Sequence, residues 1–429
     1  MDELFVLMGG ESAGILRRDR GVISLDYDLD YLEHQESTPL STSMSLDSRH
    51  HSGEHVAAWL DGLLPDDDRV RFLWASEFGV NEYSPFDLLS TKIGHDCAGA
   101  VQFCRPEELD ALTARGGSQH PVTEDDIAGH LRVLAGDSAQ WHRRGVVGGR
   151  FSLGGAQAKF ALHRDESGRW WQPEGDAPTT HIFKPSIRGL PDQALVEHLT
   201  METAHHLGLP VARTRIAEFD GHQAIIVERY DRRRSDRGVR RLHQEDMCQA
   251  LGLRPRLKYQ RTGGPSPFQI ADHLWDWATD ADLDVGRFVD ALFYNWLIVG
   301  PDAHAKNYSI RLEPDGVALA PLYDVCSFLP WLVDEEATDR QPLSMSVGRG
   351  YSVGDAAHVT VWEAAAEQMD LEPGDLVERA VQMAEDLEAA MHAAVDGLPA
   401  EYRGKPVVGE LVDWGVSRSA RCWEIFVGG

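Results

Sequence analysis

A chain of 429 residues, 42% apolar and 26% charged, has the composition of an ordinary soluble globular protein with more than one core. A formal net charge of −28 weighs against direct, electrostatically driven binding to DNA or to an anionic membrane. Five cysteines without a C-x-x-C pair give no disulfide or structural-zinc framework. The acidic start "MDELFVLMGG" and the lack of any apolar run near the roughly 20 residues of a membrane span lead us to expect a cytoplasmic chain with no membrane segment.

In chain order, "ELFVLMGG" and "GVISLDYD" read as strands and "HVAAWLDGLL" as a helix, so the first hundred residues are expected to be β-rich. The three-residue cluster in "HHSGEH" (His50, His51, His55) lies in a polar stretch without an accompanying Cys or Asp set and is read as no metal site. "RPEELDALTARGGSQHP" reads as a junction, after which Thr123 and Asp126 signal the start of a helix. "RFSLGGAQAKF" is a glycine-containing loop between apolar flanks, and it equally describes a tight hairpin turn. "THIFKPS" is a short strand carrying Lys184, and the helix "DQALVEHLTMETAHHLGL" follows with Glu197 on it and His205 and His206 in structural places. "HQAIIVERYDRR" gives a buried strand from Ala224 to Val227 that runs into Glu228, Arg229 and Tyr230. The arginine run from Arg229 to Arg241 reads as a solvated surface loop. Gln244, Glu245 and Asp246 suit either a helix cap or a ligand contact, with the cap favoured.

"FVDALFYNWLIV" repeats apolar residues on more than one helical face and is expected to be buried nearly all round, stopped by Gly300 and Pro301. "YSIRLEPDGVALAPLYDV" then reads as a hairpin with a four-residue loop. With Leu312 opposite Val317, Asn307 falls opposite Leu322, about two residues from Asp324. "DLVERAVQMAEDLEAAMHAAV" is a long amphipathic helix near the end.

The loop "GPDAHAKNYS" carries the chemistry. Phosphoryl transfer needs a base for the attacking hydroxyl and oxygen ligands for Mg²⁺, and kinases place a catalytic Asp five residues before a metal-binding Asn. Asp302 and Asn307 have that spacing, and Asp324 stands where a second metal carboxylate belongs. Lys306 suits a γ-phosphate contact and His304 a bond across the loop. Taken alone, the same residues also describe a solvated loop whose Asp caps a turn.

The ordered motifs "FSLGGAQAKFAL", "HIFKPS", "VERYDRR", "QEDMCQALG", "DAHAKNYS" and "PLYDV" resemble those of the HipA family of serine/threonine kinases, toxins of bacterial toxin–antitoxin modules. "PLSTSMSL" and "FDLLSTKIGHDCAGAVQF" extend the resemblance to the amino-terminal domain of full-length members. The resemblance implies an α+β, two-lobed protein-kinase-like fold, with a mixed α/β N-lobe, an all-helical C-lobe and an N-terminal β-rich domain. The expected divisions are residues 1–110, 111–228 and 229–429.

It further implies an ATP- and Mg²⁺-dependent protein kinase acting on an aminoacyl-tRNA synthetase or another translation protein. Asp302, Lys306 and His304 would be catalytic, and Asn307 and Asp324 the metal ligands. ATP would meet Ser152, Gly154, Gly155, Ala156, Gln157, Lys159, Lys184, Glu197, Glu228, Arg229, Tyr230, His304 and Tyr323, and Ser152 would be autophosphorylated. The implied partner is a HipB-like helix-turn-helix antitoxin, through which alone DNA would be reached, in a growth-inhibiting, persistence-related module. Pro301 and Ala303 depart from the small polar or glycine residues expected beside Asp302. A kinase of small metabolites or antibiotics, and an inactive nucleotide-binding scaffold, remain the alternatives.

Overall fold

The computed structural model describes residues 2–114, 117–136, 152, 154–155, 157–236 and 238–428. The fold is α+β, and the chain divides into two compact units. The first holds Met1–Gly189, Ala217–Arg256 and Ile310–Val317, and the second holds Leu190–Ile216, Leu257–Ser309 and Ala318–Gly429.

The first unit opens with strands β1 (Asp2–Met8), β2 (Glu11–Asp19), β3 (Val22–Tyr27), β4 (His50–Ser52) and β5 (Val101–Cys104), paired in the order β4-β3-β2-β1-β5. Alternation along them sends Leu4, Val6, Leu16 and Leu25 to one buried face, where Trp59 and Leu60 of the helix Glu54–Gly62 cover them. A second sheet is built from β6 (Ser118–Val122), β7 (Phe160–Arg164), β8 (Trp170–Glu174), β9 (His181–Pro185), β10 (Thr214–Phe219) and β11 (His222–Glu228), in the order β10-β11-β9-β7-β8-β6. The helix Glu124–Gly136 supplies Ile127 and Leu131 to its core, and its first turn is closed as expected by reciprocal bonds between Thr123 and Asp126. Both sheets share one apolar cluster that runs from Leu4 and Trp59 to Phe160, Phe183 and Ile226.

The arginine run is not a solvated loop. It forms the hairpin β12 (Arg232–Ser235) and β13 (Gly238–Arg241), and Arg229, Arg232 and Arg241 are buried. Arg229 grips Asp231 through Nε at 2.9 Å and Nη2 at 2.7 Å. Arg232 donates to Asp96 Oδ1 at 2.8 Å and to the carbonyls of Gly99 and Cys97, and Arg241 reaches Asp96 and Asp176. Thr179 donates to the other Asp96 oxygen at 2.6 Å. Burying cations is costly unless carboxylates and further acceptors surround them, and here they do. Only the outward members of the run, such as Arg233 beside Glu313 at 3.0 Å, match the expected surface role.

The strand β14 (His243–Asp246) follows, and later the hairpin of β15 (Ser309–Glu313) and β16 (Gly316–Leu319) pairs in the sheet order β14-β15-β16. The hairpin loop is two residues, Pro314 and Asp315, rather than four, because Glu313 and Gly316 already belong to the strands. The bond from Ala320 N to Ser309 O, 2.8 Å, keeps the expected register.

The second unit is mainly helical, with Gln193–His206, Pro267–Trp277, Ala281–Leu297, Val359–Gln368, Pro373–Gly397 and Pro406–Val427. The helix Ala281–Leu297 is buried from Phe288 to Leu297 on nearly every side, as its apolar content dictates, although Asp290 is half-buried. It ends at Leu297, short of Gly300, and past its cap Ile298 it is Val299 that takes the left-handed conformation, φ 52°, a costly state for a β-branched residue. Val299 is held there by full burial and by Phe328 N donating to its carbonyl at 2.9 Å.

Burial alone would push the Asp96 carboxyl up, yet Arg232, Arg229 and Arg241 outweigh it and hold the group well below the usual carboxylate range. Its contribution is therefore complete above the unfolded value of about 4 and is lost as pH falls below it. We expect Asp96→Ala to lower the urea unfolding free energy near neutral pH by about 3–5 kcal/mol, because it strands buried arginines. Arg233→Ala, at the exposed Glu313 pair, is expected to cost less than about 1 kcal/mol.

Candidate active site

In the second unit the expected catalytic loop is built on the backbone turn that follows Val299. His304 N donates to Asp302 O at 2.8 Å, Asn307 N to His304 O at 2.9 Å, and residues Ala305–Asn307 make one 3₁₀ turn. Asn307 Nδ2 donates back to the Asp302 carbonyl at 2.7 Å. With its nitrogen so occupied, the amide leaves its oxygen as the group to offer a cation. The next segment is tied in by Tyr323, whose hydroxyl donates to Lys306 O at 2.7 Å and lies 2.6 Å from Ser309 Oγ. That places Asp324 one residue from a side chain fixed to the Asp302–Asn307 loop. Asp324 itself has φ 57°, a conformation Asp tolerates better than most residues and one that recurs at functional sites.

The structure thus brings Asp302, His304, Lys306, Asn307, Tyr323 and Asp324 into one place. An amide oxygen and a carboxylate are hard oxygen donors of the kind Mg²⁺ takes, together with phosphate oxygens. Among the described residues no group of three or more His, Cys, Asp or Glu could enclose a metal unaided. Asp302 is exposed, while His304 and Lys306 are buried. His304 Nε2 stands 3.8 Å from Asp302 Oδ1, beyond hydrogen-bond length. The bond to that oxygen comes instead from Tyr259, whose hydroxyl donates at 2.8 Å. Sequence reasoning missed Tyr259, although a lone aromatic in "LKYQRTGG", next to a glycine turn, was the available signal.

The nucleotide-facing candidates of the first unit form their own group. Lys184 is buried on β9 opposite Ile225, and Glu228 pairs with His181 across β11 and β9. Gln157 Nε2 donates to Pro185 O at 3.0 Å, beside Lys184. Lys159 Nζ donates to Gly154 O at 2.7 Å and would lie 2.8 Å from a Cβ added at Gly155, whose φ is 104°. The left-handed backbone is what requires glycine there, since the end of the lysine side chain could shift aside. Ser152 is fully buried, with its N–H on Asp96 O at 2.8 Å, its carbonyl accepting from Ala98 N at 3.1 Å, and its hydroxyl donating to Leu63 O. Asp66 N donates to Gly155 O at 3.1 Å. Ala156 lies outside the described residues. Glu197 belongs to the second unit, buried on the helix Gln193–His206, and accepts from Gln193 Nε2 at 3.1 Å.

Arg229 N donates to Thr180 O at 2.9 Å, and its guanidinium is committed to Asp231. The Tyr230 hydroxyl donates to Gln244 Oε1. Asp246 is the expected cap, accepting from Cys248 N and Gln249 N in a capping box. Glu245 is neither cap nor exposed: Thr42 donates to its Oε1 from N at 2.8 Å and from Oγ1 at 2.9 Å. In the histidine cluster, His50 bonds Asp26 and His51 bonds Ser45 O.

Comparison with known proteins gives the following matches. Residues 4–104 match the family model described as the HipA N-terminal domain, and residues 151–395 match that of the HipA-like C-terminal domain. The Sinorhizobium fredii protein Y4mE, named as a kinase, is 35% identical over 326 residues, covering 76% of this chain and 77% of that protein. The serine/threonine-protein kinase toxin HipA of Shewanella oneidensis is 30% identical over 327 residues, 73% of this chain and 71% of the toxin. A chain of the solved Shewanella oneidensis MR-1 complex of HipA, HipB and operator DNA superposes with a TM-score of 0.83 over 99% of this chain and 97% of that one, at 24% identity. That likeness is one of fold. Among the described residues no helix is long and apolar enough to cross a membrane.

Burial pushes the Glu245 carboxyl from 4.5 up to about 7, against the bonds from Ser41 and Thr42. The folded state therefore holds a proton that the unfolded chain has released, and stability falls as pH rises from about 4.5 through 7. Glu245→Gln keeps an acceptor for Thr42 without the charge. It is expected to raise the urea unfolding free energy at about pH 8, by on the order of 3 kcal/mol at most, with the gain shrinking toward about pH 5.

Proposed function

The chain belongs to the HipA kinase family, and from that membership we propose that it transfers the γ-phosphate of ATP to a serine or threonine of a protein. The observation that carries this reading is the bond from Asn307 Nδ2 to the Asp302 carbonyl, which joins a base and a metal-ligand oxygen in one turn. Asp302 takes the proton of the acceptor hydroxyl while that oxygen bonds to the γ-phosphorus. The bond from phosphorus to the bridging oxygen breaks, and its electron pair leaves on ADP. Mg²⁺, when bound, would neutralise phosphate charge, and Asn307 Oδ1 with Asp324 are the groups to hold it.

Lys184 is the anchor for the α- and β-phosphates, and Lys306 is a point charge toward the γ-phosphate. Gly154 and Gly155 give the phosphates access to backbone, while the main chain from Glu228 to Tyr230 meets the adenine. With the Arg229 guanidinium committed to Asp231, that side chain serves the fold rather than the nucleotide.

Ser152 is the proposed site of self-phosphorylation. Its hydroxyl is bound to Leu63 O and buried, so modification requires Ser152 to leave Leu63 and the stretch from Asp96 to Ala98, and Gly155 to leave Asp66. A phosphate's charge would then oppose return of the loop to that buried seat. A HipB-like helix-turn-helix antitoxin is the proposed partner, supported by the solved relative of the same fold in complex with HipB and operator DNA. The net charge of −28 leaves DNA contact to that partner. The proposed setting is the cytoplasm, with a translation protein as target and growth inhibition as the outcome.

Intact-mass analysis after incubation with Mg²⁺-ATP is expected to show phosphate on wild-type protein, mapped by fragmentation to Ser152. Asp302→Asn is expected to slow its appearance about 10²–10⁴-fold while leaving the unfolding midpoint unchanged. Wild-type turnover by Asp302→Asn would overturn the assignment. Lys184→Ala is expected to raise the KM for ATP, and unchanged kinetics would remove it from the site.

A further inference from the structure

Asp302 is exposed, and an exposed carboxylate on a loop ordinarily samples several rotamers. A base that must meet a hydroxyl at hydrogen-bond distance gains from having fewer of them. Tyr259 limits that freedom. Its hydroxyl donates to Asp302 Oδ1 at 2.8 Å, leaving Oδ2 without a hydrogen bond among the described residues.

The tyrosine is itself well seated. Ala305 N donates to Lys258 O at 3.2 Å, so the residue before Tyr259 is joined to the catalytic loop. The residue after it is clamped to a second loop: Gln260 N donates to Ser344 O at 3.3 Å, and Ser346 N donates to Gln260 Oε1 at 2.7 Å. Ser344 Oγ in turn donates to Pro301 O at 2.7 Å, directly before Asp302. The tight turn over Gln260–Thr262, ending in Gly263 at φ 96°, sends Gly264 N back to Tyr259 O at 3.1 Å. The ring stands edge-on to His304 with centroids 5.0 Å apart. Tyr259 thus belongs to a frame bonded to the chain on both sides of Asp302.

We propose that Tyr259 is a positioning residue for phosphoryl transfer: its hydroxyl holds Asp302 Oδ1 so that Oδ2 faces the acceptor hydroxyl. This rests on the reading of Asp302 as the base. No proton passes through the phenol, which acts only on the orientation of the carboxylate.

The test compares full-length wild type, Tyr259→Phe, Asp302→Asn and the double variant, each starting unphosphorylated, by the initial rate of phosphate incorporation over a range of Mg²⁺-ATP concentrations. Phenylalanine keeps the ring beside His304, and the thermal midpoint checks that the fold is unchanged. Tyr259→Phe is expected to lower kcat about 10- to 100-fold, with the KM for ATP unmoved and with no further loss when added to Asp302→Asn. Gln260→Ala, which loosens the seat at Ser346 but keeps the hydroxyl, is expected to lower kcat less, again without moving KM. Wild-type kcat in Tyr259→Phe, with Asp302→Asn impaired, overturns the positioning role alone. An equal fall in both backgrounds also overturns it, since Tyr259 would then act independently of Asp302. Wild-type kcat in Asp302→Asn overturns the base assignment beneath it.

Discussion

Three buried guanidinium groups set the terms for the first unit. Arg229, Arg232 and Arg241 could not be taken out of water without Asp96 and Asp231, and the carboxylates could not be buried without the arginines. The groups come from distant stretches of chain: Asp96 follows the turn after "STKI", while the arginines flank and form the hairpin β12–β13. The arginines also bond the carbonyls of Cys97 and Gly99, which fixes the backbone that receives Ser152. With the apolar cluster that the two sheets share, this makes the amino-terminal sheet and the second sheet one body. Charge pairing supplies what a wholly apolar interface would not, a single register between them.

The second unit solves a different problem, which is to end a buried helix in a polar loop. The helix Ala281–Leu297 has little freedom to shift, being packed on almost every face. Its chain must turn within a few residues, and Val299 accepts a left-handed backbone to do so. The cost is met by burial and by the bond from Phe328, and the turn delivers Asp302 to the surface with Asn307 folded back upon its carbonyl.

Much of this was legible in the sequence. The strands β1, β3, β9 and β11 and the long helices show their apolar period directly, because a single buried face imposes it. The five-residue spacing from Asp302 to Asn307 and the register that brings Leu322 near them were also readable. Other features were hidden for physical reasons. Ser118–Val122 carries a proline and is almost wholly exposed, so an edge strand there reads as a loop. The arginine run looks solvated because its carboxylate partners lie elsewhere in the chain, and no local pattern reveals them. The aromatic of Tyr259 was visible beside its glycine turn, but its pairing with Asp302 was not, since 43 residues separate them.

The seat of Ser152 and Gly155 is made largely of main-chain bonds. Ser152 N on Asp96 O, Ala98 N on Ser152 O and Asp66 N on Gly155 O depend on no particular side chain at either end. What the clasp itself asks of positions 66 and 98 is only a backbone N–H, although Ala98 also packs against the apolar core. Proline alone, having no N–H to give, would unfasten it. Among diverging descendants of this chain, the clasp would survive as an excluded residue rather than as a conserved one.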